Sequence, residues 1–322
     1  MTEDLPRFPL FDGPSPLQRL PRFAEALGGR VDVWAKREDL LPLAFGGNKL
    51  RNLEFLIGDA LAAGADTLVT SGRRWSNHCR LTAAAGARAG LDVHLVLSGP
   101  PMDPPGPGIR LAQAYGATIH QLATVDRAER EARVTAVVDD LRAAGRRPYL
   151  VEVGGTGVIG ATGQVVAARE AFDQAAAAGA RFDEIVLPTA TGGTQAGLVV
   201  GAAGQASSTR VTGVVVARPA VELAPVIQRL AGELAVRDGV DLPPDVVRFD
   251  ETQLGGGYGR PTAAAVEATE LLARTEAILV DPIYTAKALA AVIAAVRSGA
   301  IDGQTILFWH AGGTIGLLEP LD

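Results

Sequence analysis

The chain has 322 residues, of which 48% are hydrophobic and 5% aromatic, and 36 acidic against 30 basic side chains give a net charge of -6. This balance is ordinary for a globular protein and argues against a nucleic-acid surface or a basic membrane-binding face, so neither partner is expected. The single cysteine, Cys79, excludes an internal disulfide framework and a cysteine-rich metal centre, and no metal site is expected.

The location expected from the sequence is cytoplasmic. The first thirty residues lack the continuous apolar core of a secretory signal. The longest strongly apolar helical stretch, residues 288–296, is far shorter than the roughly 20 residues that a membrane span requires.

From residue 45 onward, short β-branched runs alternate with alanine-rich helical segments, which predicts an α/β fold with mostly parallel strands. Helical spacing predicts helices over residues 50–61, ended by Gly64, and 81–89, ended by Gly90. Strands are predicted over the ranges 67–70, 93–97, 149–153, 184–188, 211–217, 277–280 and 304–309.

Ligands of open α/β sheets bind beyond the carboxyl ends of the strands, so the loops there are the candidate sites. Five loops are rich in Gly, Ser, Thr or Asn, and they cover residues 46–49, 71–78, 154–163, 189–194 and 310–314. The loop at 189–194 opens a helix, where backbone N–H groups and threonine hydroxyls bind anions such as a cofactor phosphate. The alternative for this loop alone is a tight turn without a ligand.

Residues 155–160 match the dinucleotide pattern G-x-G-x-x-G, which indicates a nicotinamide-dependent oxidoreductase as an alternative function. The pattern requires an acid about 20 residues later, at the end of the next strand, to bind the ribose. No carboxylate stands there, so a close-packing turn is the favoured interpretation.

Lysine is scarce, because 27 of the 30 basic residues are arginines and only Lys36, Lys49 and Lys287 remain. Arginine cannot lose its proton and form an imine, so each lysine is a candidate for covalent chemistry. Lys49 stands where a small-residue loop meets a helix, and the positive end of the helix dipole favours its neutral amine. Lys36 and Lys287 are the natural examples of ordinary solvated lysines.

The motifs together resemble the 1-aminocyclopropane-1-carboxylate (ACC) deaminase and D-cysteine desulfhydrase family, which are pyridoxal-phosphate (PLP) enzymes of the tryptophan-synthase-β fold type. The resemblance covers nearly the whole chain in order. It rests on GGNKLR at 46–51, LEFL at 53–56, SNH at 76–78, TGGTQAG at 191–197, GYG at 257–259, DPIYT at 281–285 and HAGG at 310–313.

This resemblance implies fold type II, with two open, mostly parallel twisted sheets flanked by helices, and PLP as the cofactor. A small α/β domain, residues 48–159, would be inserted into a large cofactor domain formed by residues 1–47 and 160–322. A homodimer is expected.

The resemblance also assigns site residues. Lys49 would carry PLP as a Schiff base, Asn77 would bind its phenolic oxygen, and Thr285 would sit at the pyridine nitrogen. The phosphate would be bound by Thr191, Gly192, Gly193 and Thr194. Substrate would contact Trp75, Ser76, Asn77, His78 and Tyr258, with Lys49, Ser76, Tyr258 and Tyr284 as catalytic residues. The imidazoles of His78 and His310 are otherwise expected to be structural.

Two branches of the family differ at one position. ACC deaminases carry Glu where this chain has Thr285, and the desulfhydrase branch carries Thr. The sequence therefore favours β-elimination from a small amino acid, D-cysteine desulfhydrase-like, which releases pyruvate and ammonia. The alternatives are ACC deamination to 2-oxobutyrate and ammonia, and a PLP-binding protein without turnover. Thr285 can also be read as only a helix cap.

The segment before Ser76 departs from both branches. It places Arg73 and Arg74 where small or apolar residues and Gln are usual. Two guanidinium groups beside the substrate loop would select a negatively charged β-substituent such as a sulfonate or carboxylate. The competing interpretation is that they face solvent or another subunit.

Overall fold

The computed structural model describes residues 4–320 except residue 206. Ten helices occur in the described chain: α1 Pro21–Ala26, α2 Lys49–Ala62, α3 Asn77–Ala89, α4 Pro107–Ala114, α5 Arg127–Ala143, α6 Val158–Ala177, α7 Gly193–Gly204, α8 Ala220–Asp238, α9 Ala263–Glu276 and α10 Thr285–Ser298. The ten strands in the same part are β1 Leu17–Arg19, β2 Asp32–Arg37, β3 Thr67–Arg73, β4 Asp92–Ser98, β5 Thr118–Leu122, β6 Pro148–Leu150, β7 Glu184–Thr189, β8 Arg210–Val215, β9 Arg248–Asp250 and β10 Thr305–His310.

The strands form two sheets, which confirms the predicted α/β class. A six-stranded sheet has the order β1-β2-β10-β7-β8-β9, and only the β1–β2 pair is antiparallel. A four-stranded, fully parallel sheet has the order β5-β4-β3-β6. The small sheet uses residues 67–150, between the first and second parts of the large sheet. The predicted division into a small domain, residues 48–159, and a large domain, residues 1–47 and 160–322, stays a prediction.

The N-terminal segment contacts both parts of the molecule. The Phe8 amide donates to the Glu54 carbonyl at 2.9 Å, and the Leu10 amide donates to the Glu54 carboxylate at 2.9 Å. Leu10 and Phe11 share a hydrophobic core with α2 and α3, so this segment packs on the small sheet's helices before β1 enters the large sheet.

The predicted strand at 277–280 is wrong. Ala277 ends α9 in the left-handed conformation, and the next residues run into α10 without joining a sheet. Ile278 and Val280 are buried in the core beneath β10, which explains why the segment is apolar. Because these residues are buried but do not pair with a neighbouring strand, their apolar sequence looks the same as that of a buried strand. Strands β1, β2, β5 and β9 were not predicted.

Helix α6 packs closely against both α2 and α7 because glycines line the two contacts. A Cβ at Gly163 would lie 2.0 Å from the Arg51 carbonyl oxygen, and one at Gly201 would lie 2.3 Å from the Ala168 Cβ. Within the pattern at 155–160, a Cβ at Gly160 would lie 2.2 Å from the Gly155 carbonyl oxygen, so a close-packing turn remains the favoured interpretation. Within the described residues, no helix is both long and apolar enough to cross a membrane.

A buried group of charges joins the two sheets, and we call it the junction cluster. The Arg51 guanidinium on α2 donates to the Glu38 carboxylate at 3.0 Å and to the Glu170 carboxylate on α6 at 2.6 Å. Lys36 of β2 completes the cluster with bonds to Glu170, Gln174 and the Ser15 carbonyl oxygen. Burial opposes ionisation of Glu170, but Arg51 and Lys36 outweigh it and hold its pKa below the ordinary value. Lys36, expected to be solvated, is fully buried.

The close contact at Gly201 and the open space at Gly232 predict opposite effects of alanine substitution on the free energy of unfolding. Gly201→Ala should lower the free energy of unfolding by about 1–3 kcal/mol, because the added methyl has no space. The matched control is Gly232→Ala in α8, where a Cβ meets nothing within 4 Å. Alanine should stabilise that helix by about 0.5–1 kcal/mol. Chemical denaturation measures both, and equal effects of the two substitutions would contradict the packing argument.

Candidate active site

Loops from both sheets surround one cavity of about 420 Å³. Nine of the predicted site residues line it: Lys49, Ser76, Asn77, His78, Thr191, Gly192, Thr194, Tyr258 and Tyr284. The other three, Trp75, Gly193 and Thr285, lie behind this lining. The cavity thus gathers residues that are separated by more than 200 positions in the chain.

Lys49 is the first residue of α2 and its side chain reaches the cavity. The turn before it needs glycine, since a Cβ at Gly46 would lie 2.2 Å from the Asp39 carbonyl oxygen and φ there is +66°. Gly47 lies against Gly312, where a Cβ would be 2.5 Å from the Gly47 Cα, so the loop after β10 supports the turn. Burial lowers the pKa of the Lys49 amine to about 8.

Helix α3 begins at the cavity with the predicted substrate loop. The Ser76 hydroxyl caps the helix by accepting from the Cys79 amide at 3.3 Å, and Ser76 also lines the cavity. The Asn77 carboxamide oxygen accepts from Arg80 at 3.2 Å. Arg80 thereby fixes the orientation of the amide and leaves its NH₂ group as the donor available to a ligand.

His78 is a neutral hydrogen-bonded residue. The Thr70 hydroxyl donates to the Val151 carbonyl oxygen at 2.7 Å, so its oxygen accepts from His78 Nε2 at 2.9 Å. This assigns the proton to Nε2. Burial, together with the charge of Lys49, lowers the pKa of the imidazole to about 3. His78 therefore lines the cavity without carrying charge at neutral pH.

The predicted anion loop opens α7 on the opposite wall. Gly192 has φ +94°, and a Cβ there would lie 2.4 Å from Ile227, so only glycine fits. Thr191 and Thr194 are fixed by bonds with Thr156 at 2.6 Å and Asn48 at 2.9 Å. Gly193 is the first residue of the helix, whose free N–H groups and dipole favour an anion.

Two tyrosines close one end of the cavity. The hydroxyls of Tyr258 and Tyr284 are hydrogen bonded to each other, and their rings meet edge to face with centroids 5.8 Å apart. Burial raises the pKa of both phenols, so both are protonated at neutral pH. Lys287 is buried, contrary to expectation, and its amine donates to the carbonyl oxygens of Leu254 at 2.9 Å and Gly257 at 3.3 Å. It anchors the loop that carries Tyr258.

Thr285 lies directly after Tyr284 but is fully buried. Its hydroxyl donates to the Asp281 carboxylate at 2.5 Å, and the same carboxylate accepts from the backbone amides of Ile283, Tyr284 and Thr285. Asp281, not Thr285, therefore caps the start of α10. The Thr285 oxygen in turn accepts from the Asp281 backbone amide at 2.9 Å.

Arg73 and Arg74, the two arginines before Ser76, share a contact with Trp75 but only Arg73 lines the cavity. Both guanidinium carbons lie over Trp75, at 5.0 Å for Arg73 and 4.7 Å for Arg74 from the ring centroid. Arg74 is buried and donates to the Pro320 carbonyl oxygen at 3.0 Å, so it does not face solvent. Arg73 lines the cavity.

Sequence reasoning missed several cavity residues. Thr189 lines the cavity with a buried hydroxyl that has no hydrogen-bond partner among the described residues. Three further arginines line it as well, Arg127, Arg130 and Arg218. The sequence could have indicated Thr189, because it lies in the predicted anion loop at 189–194. Arg127 and Arg130 lie on α5, which no motif marks.

Comparisons with known proteins agree with this geometry. The family model for pyridoxal-phosphate dependent enzyme matches residues 9–312. D-cysteine desulfhydrase of Salmonella choleraesuis (strain SC-B67) is 37% identical over 322 residues, covering 97% of this chain and 95% of the relative. ACC deaminase of Burkholderia cenocepacia (strain HI2424) is 38% identical over 330 residues, with the same two coverages. A crystal structure of an ACC deaminase homologue has a TM-score of 0.90 at 33% identity, covering 98% of this chain and 94% of that one.

The lowered pKa of Lys49 predicts how the rate of PLP binding to the cofactor-free protein depends on pH. Only the neutral amine attacks, and with a pKa of about 8 roughly one amine in ten is neutral at pH 7. The rate of PLP binding to the apoprotein should rise with pH and level off with a midpoint near pH 8. Stopped-flow absorbance between pH 7 and 10 measures this, and Nα-acetyl-lysine is the control. A midpoint above pH 10 would contradict a desolvated Lys49.

Proposed function

This chain belongs to the family of pyridoxal-phosphate-dependent enzymes, and we propose that it is a β-eliminating lyase that releases pyruvate and ammonia from a small amino acid, as a D-cysteine desulfhydrase does. The observation that carries the proposal is the position of Lys49. Its desolvated amine lies in a cavity that also contains an anion loop and the Asn77 amide.

The cavity residues fit PLP. The N-terminus of α7 with Thr191, Gly192 and Thr194 suits its phosphate, and the unpartnered Thr189 hydroxyl is a further donor beside that loop. Lys49 would bind its aldehyde carbon and the Asn77 NH₂ group its phenolic oxygen, while Thr285 would contact the pyridine ring. When bound, the cofactor supplies an electron sink for carbanion chemistry at the substrate Cα.

The residues of the chain supply placement and proton transfer. The Lys49 amine would be the base for the Cα proton, because its lowered pKa leaves it partly neutral near pH 8. Ser76 and Asn77 at the start of α3 would orient the substrate carboxylate through the helix N-terminus. Tyr258 and Tyr284 retain their protons, so the pair is suited to protonating the departing β-substituent.

The choice between the two branches rests on Thr285. Identities of 37% and 38% do not separate a desulfhydrase from an ACC deaminase. A carboxylate at the ring nitrogen would hold it protonated more firmly than a hydroxyl does. The hydroxyl of Thr285, as in the desulfhydrase branch, supports β-elimination over ring opening.

Two expectations from the sequence and the family resemblance belong to the same proposal. We propose that the protein is a homodimer and that it acts in the cytoplasm. Light scattering coupled to gel filtration tests the first, and cell fractionation tests the second.

Purified holoprotein should show a visible absorption band that borohydride bleaches, and Lys49→Ala should lack it. Pyruvate should be released from D-cysteine and β-chloro-D-alanine faster than 2-oxobutyrate is released from ACC, because Thr285 replaces the carboxylate that ring opening uses. A coupled dehydrogenase assay measures both products. Equal or better turnover of ACC would overturn the branch choice, and a protein that neither binds PLP nor forms a keto acid would overturn the whole proposal.

The tyrosine pair predicts a catalytic defect without loss of cofactor. Tyr284→Phe removes one of the two bonded hydroxyls, so kcat for β-elimination should fall about 10²-fold while the visible band stays. Tyr149→Phe is the matched control, since its hydroxyl bonds Asp59 at 2.6 Å and does not line the cavity. An unchanged kcat in Tyr284→Phe would remove the pair from the mechanism.

A further inference from the structure

The small-sheet wall of the cavity carries arginines. Arg73 ends β3 and pairs in register with Ser98, which ends β4. Arg130 in the first turn of α5 donates to the Ser98 hydroxyl at 3.2 Å. Its buried Nε has no hydrogen-bond partner among the described residues. Arg73 and Arg130 therefore meet at the carboxyl ends of two adjacent strands, and both line the cavity.

All charged side chains that line the cavity among the described residues are basic, although the chain as a whole is acidic. Five cationic side chains line it, Lys49, Arg73, Arg127, Arg130 and Arg218, and no Asp or Glu is among its described lining residues. Arg218 follows β8, whose Val215 pairs with Thr189, so it belongs to the side of the anion loop. Arg73 and Arg130 line the opposite, small-sheet wall of the cavity, away from the anion loop.

An anion bound by Arg73 would lie near the tyrosines. The Arg73 guanidinium is over Trp75, whose ring lies 6.1 Å from the ring of Tyr258. Arg73 therefore lies toward the tyrosine end of the cavity. The N-terminus of α3 is the proposed binding site of the substrate carboxylate. With the substrate carboxylate at the start of α3, as proposed above, Arg73 and Arg130 would lie on the side of the β-substituent.

We propose that Arg73, with Arg130 beside it, determines specificity for an amino acid whose leaving group is negatively charged, such as a sulfonate. This rests on the proposed β-elimination. With cysteate, the Cα–H and Cβ–S bonds break and the electron pair of the Cβ–S bond leaves with sulfur as sulfite. Water then replaces the amino group, so cysteate and water give pyruvate, ammonia and sulfite without an oxidant or reductant. A guanidinium binds the sulfonate oxygens through charge-assisted hydrogen bonds.

The test compares charged and neutral leaving groups in the holoenzyme. Pyruvate release is measured with both enantiomers of cysteate, O-phosphoserine, cysteine and β-chloroalanine. In the wild type, kcat/KM for a charged substrate should exceed that for β-chloroalanine. Arg73→Gln should lower this ratio at least about tenfold, and Arg73→Lys should restore part of it. Arg142→Gln, an exposed position at the far end of α5, is the matched control and should keep the ratio.

A binding measurement separates recognition from chemistry. The unreactive probe 3-sulfopropanoate should bind the holoenzyme by calorimetry, and Arg73→Gln should raise its Kd at least about tenfold with the visible absorption band intact. An unchanged ratio and Kd in Arg73→Gln would overturn the specificity proposal. If cysteine or β-chloroalanine yields pyruvate and neither charged substrate is preferred, this inference fails and β-elimination stands. If no substrate yields pyruvate, the proposed function fails first.

Discussion

The buried pairing of Arg51 with Glu38 and Glu170 is the interaction on which the site depends. Arg51 lies two residues after Lys49 on the same helical turn, so fixing its guanidinium also fixes where α2 begins. Glu38 follows β2 of the large sheet and Glu170 lies on α6. Loss of one partner would leave a buried charge uncompensated, at a cost of about 3–5 kcal/mol. The junction cluster thus sets the position of the reactive amine relative to the large sheet.

The remainder of the cavity follows from the meeting of two parallel sheets at their carboxyl ends. The small sheet contributes the start of α3 and Arg73, and the large sheet contributes the anion loop and the tyrosines. Glycines allow this close approach, since the loop of Gly47 touches that of Gly312. A binding cavity of this kind is typical of the junction between α/β units.

Local sequence patterns predicted what depends on local structure. Lys49 and the anion loop were identified because small residues before a helix have a physical meaning of their own, whereas the roles of the residues at the start of α3 came from the family resemblance. Lys36 and Lys287 were misjudged, since their burial depends on Glu170 and on the Leu254 carbonyl, which are distant in the chain. The apolar run at 277–280 was assigned to a strand because burial, not pairing, sets its composition. Short strands such as β1 and β9, three residues each, carry too little pattern to be recognised.

The bonds from Lys287 have a mechanical consequence. They tie the loop of Tyr258 to α10, the helix that follows Tyr284, so both phenols belong to one rigid body on the large sheet. Trp75 belongs to the other body, and it lies so close to the tyrosine loop that a Cβ at Gly259 would be 2.7 Å from its ring. The two phenols are thus held together by elements of the large sheet, and Trp75 brings the loop after β3 of the small sheet against them.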